Sequence, residues 1–309
     1  MNVHLITNCT NLKKSNIIGK VQLKDLINEH ETDTIVDSWY KQLNNAEQKL
    51  PANKVYSGDH WKVALSIMTQ SIDLWVLSAG YGLIHNSSPI GSYDATFSKG
   101  SENSIDRTGL GNSEWWNSIH QSRDSNVFKT SSLKTLVTNN PNDVFFIATS
   151  PDYLKVIESE LCDLVSQNKL TKSNLVIVSS KQNLNEKLIP YFLESSADFS
   201  STLKGARVSL NIRLARYLLE HIESIGFDYN KVLEKYNHLK KISVKKMAKN
   251  RQKLTDEEIG EFIKNEINLN QQTKISATLL LNKLRNRNHA CEQKRFNRLL
   301  KDIREKSLV

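Results

Sequence analysis

A chain of 309 residues, 39 % hydrophobic and 24 % charged, is long enough for one large and one small domain and too apolar to be disordered. No run nears the ~18 consecutive apolar residues of a membrane span, and three scattered cysteines (Cys9, Cys162, Cys291) form neither a disulfide framework nor a zinc site, so a reducing cytoplasm is expected. The net charge of +9 is uneven: from Lys231 onward twenty Lys/Arg stand against nine Asp/Glu, a net of +11, and residues 1–230 carry −2.

The N-terminal run Val3–Asn8 reads as a first buried strand rather than a signal peptide, since no basic leader or cleavage-like site accompanies it. Three further apolar runs, Leu74–Ser78, Val144–Thr149 and Leu175–Ser179, have the length and composition of strands buried on both faces of a parallel sheet. Helical patterns fall at Leu23–His30, Trp61–Gln70, Pro151–Asn168, Leu184–Leu193 and Val208–Ile222. Strand–helix alternation predicts an α/β fold with a mostly parallel sheet over residues 1–226. Ligands in such sheets gather beyond the carboxyl ends of strands, here the loops Cys9–Ser15, Ala79–Thr96, Ser150–Tyr153 and Ser180–Asn183. The Gly-, Ser- and Asn-rich stretch Ser98–Asn126, with Trp115 and Trp116, is expected to be a partly ordered excursion or lid.

Residues 227–253 are expected to be a basic helical linker, acid-free from Tyr236 on, and 254–309 a small all-α domain. Thr255-Asp256-Glu257-Glu258 has the form of a capping box. A second helix is expected from Ser276 to Arg287, then a turn at Asn286–His289. The last helix, Cys291–Lys306, places Phe296, Leu299, Leu300 and Ile303 on one face and Lys294, Arg295, Asn297, Arg298 and Lys301 on the other. Three short helices ending in a basic one resemble a helix-turn-helix module. With Lys245, Lys246 and Arg251, that face is the expected nucleic-acid surface. Duplex DNA is the first partner expected and RNA the second; no membrane partner is expected.

Candidate chemistry clusters around the second strand. Gly80 and Gly82 allow a close approach of the backbone to a ligand. Tyr81 and Tyr93 offer faces for base stacking, with Tyr56, Gly58 and Ser78 nearby. Asp59 and Asp94 are candidate general bases, and His60 and Lys62 candidate phosphate contacts. Taken together, Val55-Tyr56-Ser57-Gly58, Leu77-Ser78-Ala79-Gly80-Tyr81-Gly82-Leu83-Ile84 and Ile90-Gly91-Ser92-Tyr93-Asp94 resemble the YaaA-like peroxide stress proteins and a related bacterial domain family. The resemblance covers about residues 1–100 and, more weakly, Leu203–Asn211, and does not reach the helical tail. It implies an α/β fold related to DNA-associated proteins, with kinship to domains near deazaguanine modification enzymes. The cluster Ile6–Lys14 is also similar to the Pro-Cys-Ser-x-x-Lys motif of archaeosine synthases. Asn8 replaces Pro and Thr10 replaces Ser, so that reaction is not carried over; within the cluster, Cys9 and Lys14 are the exposed candidates.

Gly205–Arg213 begins a helix whose first turn, with Arg207, Ser209 and Asn211, makes a candidate phosphate site. A P-loop, a full dinucleotide fingerprint, His-x-x-x-His spacing and a nucleophile elbow are all missing, so no cofactor or metal is implied. The sequence thus predicts a DNA-directed protein with a nucleotide- or base-sized pocket, capable of N-glycosidic cleavage or base modification if it is an enzyme. A non-catalytic DNA-binding protein, protective or regulatory, and an RNA- or tRNA-processing enzyme are the alternatives.

Overall fold

The computed structural model describes residues 1–28, 32–121, 132–220, 226–243, 251–269 and 275–306, in two compact units, Met1–Lys245 and Lys246–Val309. The first unit is built on a six-stranded sheet: β1 (Val3–Asn8), β2 (Ile72–Ser78), β3 (Gly82–His85), β4 (Val144–Ala148), β5 (Leu175–Ser179) and β6 (Phe192–Glu194), in the order β6-β5-β4-β1-β2-β3. All neighbours are parallel except the edge pair β2–β3, which is antiparallel. The apolar runs explain the choice: β4 and β5 are buried at every position, so an alternating pattern would have wasted one face.

The helices are α1 (Thr32–Asn44), α2 (Asp59–Ile67), α3 (Asn112–Gln121), α4 (Leu133–Asn139), α5 (Pro151–Ser166), α6 (Leu210–Leu219) and α7 (Tyr229–Ile242), with shorter turns between them. Helix α6 packs against β4 and β5 and also against α2, which packs on β2. From β1 the chain crosses to β2 on one side, and from β4 it crosses to β5 on the other. The reversal leaves a crevice between the carboxyl ends of β1 and β4, the switch point at which open α/β sheets bind ligands.

Four expectations change. The predicted helix Leu184–Leu193 is a 3₁₀ turn, Glu186–Tyr191, interrupted by Pro190 and followed by strand β6, because proline removes a helical donor and clashes with the preceding turn. Ser98–Asn126 is not a lid as far as it is described: Trp115 and Trp116 are buried on α3, and Trp115 Nε1 donates to the Ala79 carbonyl at 2.8 Å. The predicted linker 227–253 contains α7, whose Val232, Tyr236 and Leu239 are buried in the first unit's core. Val208–Ile222 begins as a 3₁₀ turn, Arg207–Ser209, before α6; Ile222 lies outside the described residues.

The second unit holds α8 (Asp256–Leu269), α9 (Ala277–Asn286) and α10 (Gln293–Lys306), with Gln252–Lys253 pairing in parallel to His289–Ala290. The capping box is reciprocal: Thr255 N donates to Glu258 Oε2 at 2.7 Å and Glu258 N to Thr255 Oγ1 at 3.2 Å. Ser276 caps α9 through the Leu279 amide. Ile259, Ile263, Leu280, Leu284, Phe296 and Leu300 are buried in a small core, with Leu299 and Ile303 packed at its edge. Among the described residues no helix is long and apolar enough to cross a membrane.

Candidate functional site

The crevice at the switch point is a cleft of about 430 Å³. The segment after β1 (Asn8–Leu12), Ser57–His60 at the start of α2, Thr96 and Ser98, Ser150 and Tyr153 at the start of α5, Ser180 after β5, and Arg207, Val208 and Asn211 at the start of α6 line it. Its frame is held by hydrogen bonds among those strand ends. Asn8 Oδ1 accepts from the Thr149 hydroxyl and the Ser150 amide at 3.2 and 3.1 Å, and Asn211 Nδ2 donates to the Thr149 carbonyl at 2.7 Å. Thr7 Oγ1 donates to the Ala148 carbonyl at 2.6 Å. Its single proton is thereby used, so His60 must donate its Nε2–H to Thr7 Oγ1 across 2.9 Å.

Burial pushes the His60 pKa down to about 4, against the opposing pull of Asp59 and of a backbone contact at Asn8, so the imidazole is neutral at pH 7. Asp59 is spoken for: Arg213 Nη2 donates to its Oδ1 at 2.6 Å and Ser209 Oγ donates to Oδ2. These bonds, Arg213's first, hold its pKa below the usual carboxylate range. Its charge is already matched by Arg213, and a carboxylate held ionised in this way is poorly suited to taking a proton. Cys9 is buried rather than exposed; its Sγ reaches the cleft wall 3.2 Å from the Tyr153 hydroxyl.

The tyrosine and glycine cluster singled out in the sequence is core. Tyr56, Tyr81 and Tyr93 are buried, with Tyr56 Oη 2.9 Å from Tyr93 Oη and Ser78 Oγ 2.7 Å from the same hydroxyl. Tyr81 Oη accepts from the Gly91 amide. No face of these rings is open for a base to stack on, and burial raises all three hydroxyl pKa values. Gly80 and Gly82 do serve close approach, but to the protein's own side chains. A Cβ at Gly80 would lie 2.6 Å from the Tyr93 ring, and one at Gly82 (φ +73°) 2.8 Å from His120. Asp94 pairs with Lys20 and Lys62 is exposed on α2; neither lines the cleft. Lys14 is exposed and also outside the lining, whereas its neighbour Lys13 buries an amine without a hydrogen-bond partner 4.1 Å from the Tyr93 ring centroid. Burial lowers that amine's pKa.

Of the expected residues, then, the structure gathers Cys9, Gly58, Asp59, His60, Arg207 and Asn211 on one cleft, with Ser209 just behind Asp59. The sequence missed Arg213 as the partner of Asp59 and Leu12 and Val208 as exposed apolar rims; the Arg213 side chain was hidden because its partner is 154 residues away. Among the described residues no cluster of three His, Cys, Asp or Glu side chains is placed to hold a metal ion.

In the second unit, Lys294, Asn297, Arg298 and Lys301 are exposed on α10, opposite buried Phe296 and Leu300. Arg295 is committed inward: its guanidinium bonds Asp256 and the Leu254 carbonyl. Arg298 also reaches Asp256, at 3.1 Å, and Lys301 faces Glu305 at 3.7 Å. Arg251 is half-buried, with its Nε unpartnered. Lys245 and Lys246 lie outside the described residues.

No family model, curated protein or solved structure matches this chain. The resemblance to the YaaA-like proteins therefore rests on the residues quoted for it.

Proposed function

We propose that this is a nucleic-acid-directed protein in which the second unit grips the phosphate backbone and the switch-point cleft of the first unit receives a nucleotide-sized group. The observation that carries it is the exposed face of α10, where Lys294, Asn297, Arg298 and Lys301 stand clear of a buried apolar stripe. That face belongs to the segment holding all of the chain's positive excess. Such a surface binds polyanions by releasing their counterions, and its affinity falls steeply with salt. Duplex DNA is the favoured partner.

If the cleft acts on a base, Asp59 is its ionised carboxylate, fixed in place by Arg213 and Ser209, while His60 is a neutral hydrogen-bonding group. Asp94 has no part in that chemistry.

The test is fluorescence anisotropy of labelled duplex DNA with the full chain, across salt, beside the double charge reversal Lys294→Glu/Lys301→Glu. Salt-sensitive binding lost in the variant supports the proposal. Binding unchanged by the reversal would remove it, and a preference for structured RNA in competition would favour the RNA-processing alternative. Nucleosides recovered unchanged from bound DNA would favour the non-catalytic one.

A further inference from the structure

Three helices begin at the cleft: α2, α5 and α6, of 9, 16 and 10 residues, and none has a side chain capping its N-terminus. Gly58 has no side chain to offer α2, the Ser150 side chain makes no capping bond on α5, and Ser209 turns its hydroxyl to Asp59 instead of to α6. Uncapped N-termini present backbone N–H donors and the positive end of the helix dipole. On α5 these donors start after Pro151, which has none, and at α6 they lie in the preceding turn, because the Ser209 and Leu210 amides are bonded to the Ala206 and Arg207 carbonyls. Here three of them face one space, with the exposed guanidinium side chain of Arg207 on the same wall. The carboxylate there, Asp59, is already matched by Arg213. The wall is therefore arranged for an anion.

Two further observations say what else the ligand carries. Asn211 is only 8 % exposed, and with Nδ2 fixed on the Thr149 carbonyl its Oδ1 is left buried without a hydrogen-bond partner. A buried acceptor of this kind is costly unless something donates to it, and Asn211 lines the cleft. The ligand thus brings an O–H or N–H group. At the rim, Leu12 and Val208 are 64 % and 85 % exposed. Both line the same cleft. Isolated exposed aliphatics are ordinary; two on the rim of one anion-ready cleft form a surface for an apolar ring.

We propose that the cleft is a binding site for a 5′-phosphorylated nucleoside, its phosphate on the three helix N-termini beside Arg207, a sugar or base N–H or O–H on Asn211 Oδ1, and its ring covering Leu12 and Val208. This deepens the nucleotide-sized cleft named above and rests on that reading of the first unit. Its chemistry is shared by a free nucleotide and by the 5′-phosphorylated end of a strand.

Isothermal titration of the full chain at low salt separates these. The probes are nucleoside 5′-monophosphates, ribose 5-phosphate, inorganic phosphate, unphosphorylated nucleosides, and short single strands with and without a 5′-phosphate. The monophosphates, the 5′-phosphorylated strand or both should bind at least about tenfold tighter than ribose 5-phosphate or inorganic phosphate, because only they cover the apolar rim. Arg207→Ala should weaken every phosphorylated probe by about tenfold or more. Leu12→Ser/Val208→Ser should weaken only those carrying a base. All three side chains are exposed, so the variants fold. The Asn211 side-chain amide resonances should shift on saturation. Equal affinity for inorganic phosphate and monophosphate, or monophosphate affinity unchanged in Arg207→Ala, would overturn the inference. Duplex binding measured on the same samples keeps the two proposals apart. Retained duplex binding with no nucleotide binding sinks this inference alone, and the reverse result sinks only the role of α10.

Discussion

His60 couples the cleft to pH. Its ring is buried and neutral, its Nε2–H spent on Thr7 Oγ1, and its pKa is pushed down to about 4 from an ordinary 6.5. Between those values the unfolded chain takes up a proton that the folded one refuses, so stability is complete above pH 6.5 and is lost as the pH falls toward 4. The whole drop corresponds to about 3 kcal/mol, of which about 2 kcal/mol has gone by pH 5. His4, also depressed chiefly by burial, adds to the slope with the same sign, so the perturbation must isolate one ring. His60→Gln keeps an N–H donor for Thr7 and removes the titration. All five tryptophans (Trp39, Trp61, Trp75, Trp115, Trp116) lie in the first unit, so their fluorescence in urea reports that unit alone. Wild type should lose about 2 kcal/mol more than His60→Gln between pH 8 and pH 5. Parallel losses in the two proteins would refute the assignment of a buried, neutral His60.

Other substitutions separate roles that the sequence left merged. Arg295→Ala should lower the second unit's melting temperature, read by far-UV circular dichroism, because the Leu254 carbonyl loses its partner and Asp256 keeps only the exposed Arg298. Lys294→Ala should leave that melt unchanged and reduce the salt slope of DNA binding by about one. Glu266, 3 % exposed, is held by Lys283 and Arg287 at 2.8 and 2.6 Å. Glu266→Gln should cost about 1–2 kcal/mol in a denaturant titration, the loss being limited because both cations are partly exposed and can rehydrate. Asp94→Asn should leave nucleotide affinity in the cleft unchanged by calorimetry, since Asp94 pairs with Lys20 away from the lining.

What the sequence determined by itself follows from local rules. Largely apolar runs at 3–8, 144–148 and 175–179 call for burial on both faces, the usual setting of a mostly parallel sheet, so the fold class and the strand-end loops were legible. The capping box at Thr255 and Glu258 and the apolar stripe of α10 are likewise local, set by spacings of three and four residues. The loops after β1, β4 and β5, where open α/β sheets gather ligands, all line the cleft. What only the tertiary structure decided was which side chains face one another. A Gly-Tyr-Gly turn has the same letters whether it cradles a ligand or lets Tyr93 and His120 press against the backbone; here strand β3 turns it inward. Arg213 meets Asp59, and Asn211 meets Thr149, only after the sheet has ordered its strands 6-5-4-1-2-3 and brought the start of α6 to the switch point. Those pairings span 154 and 62 residues, and no periodicity within one element can specify a partner that far along the chain.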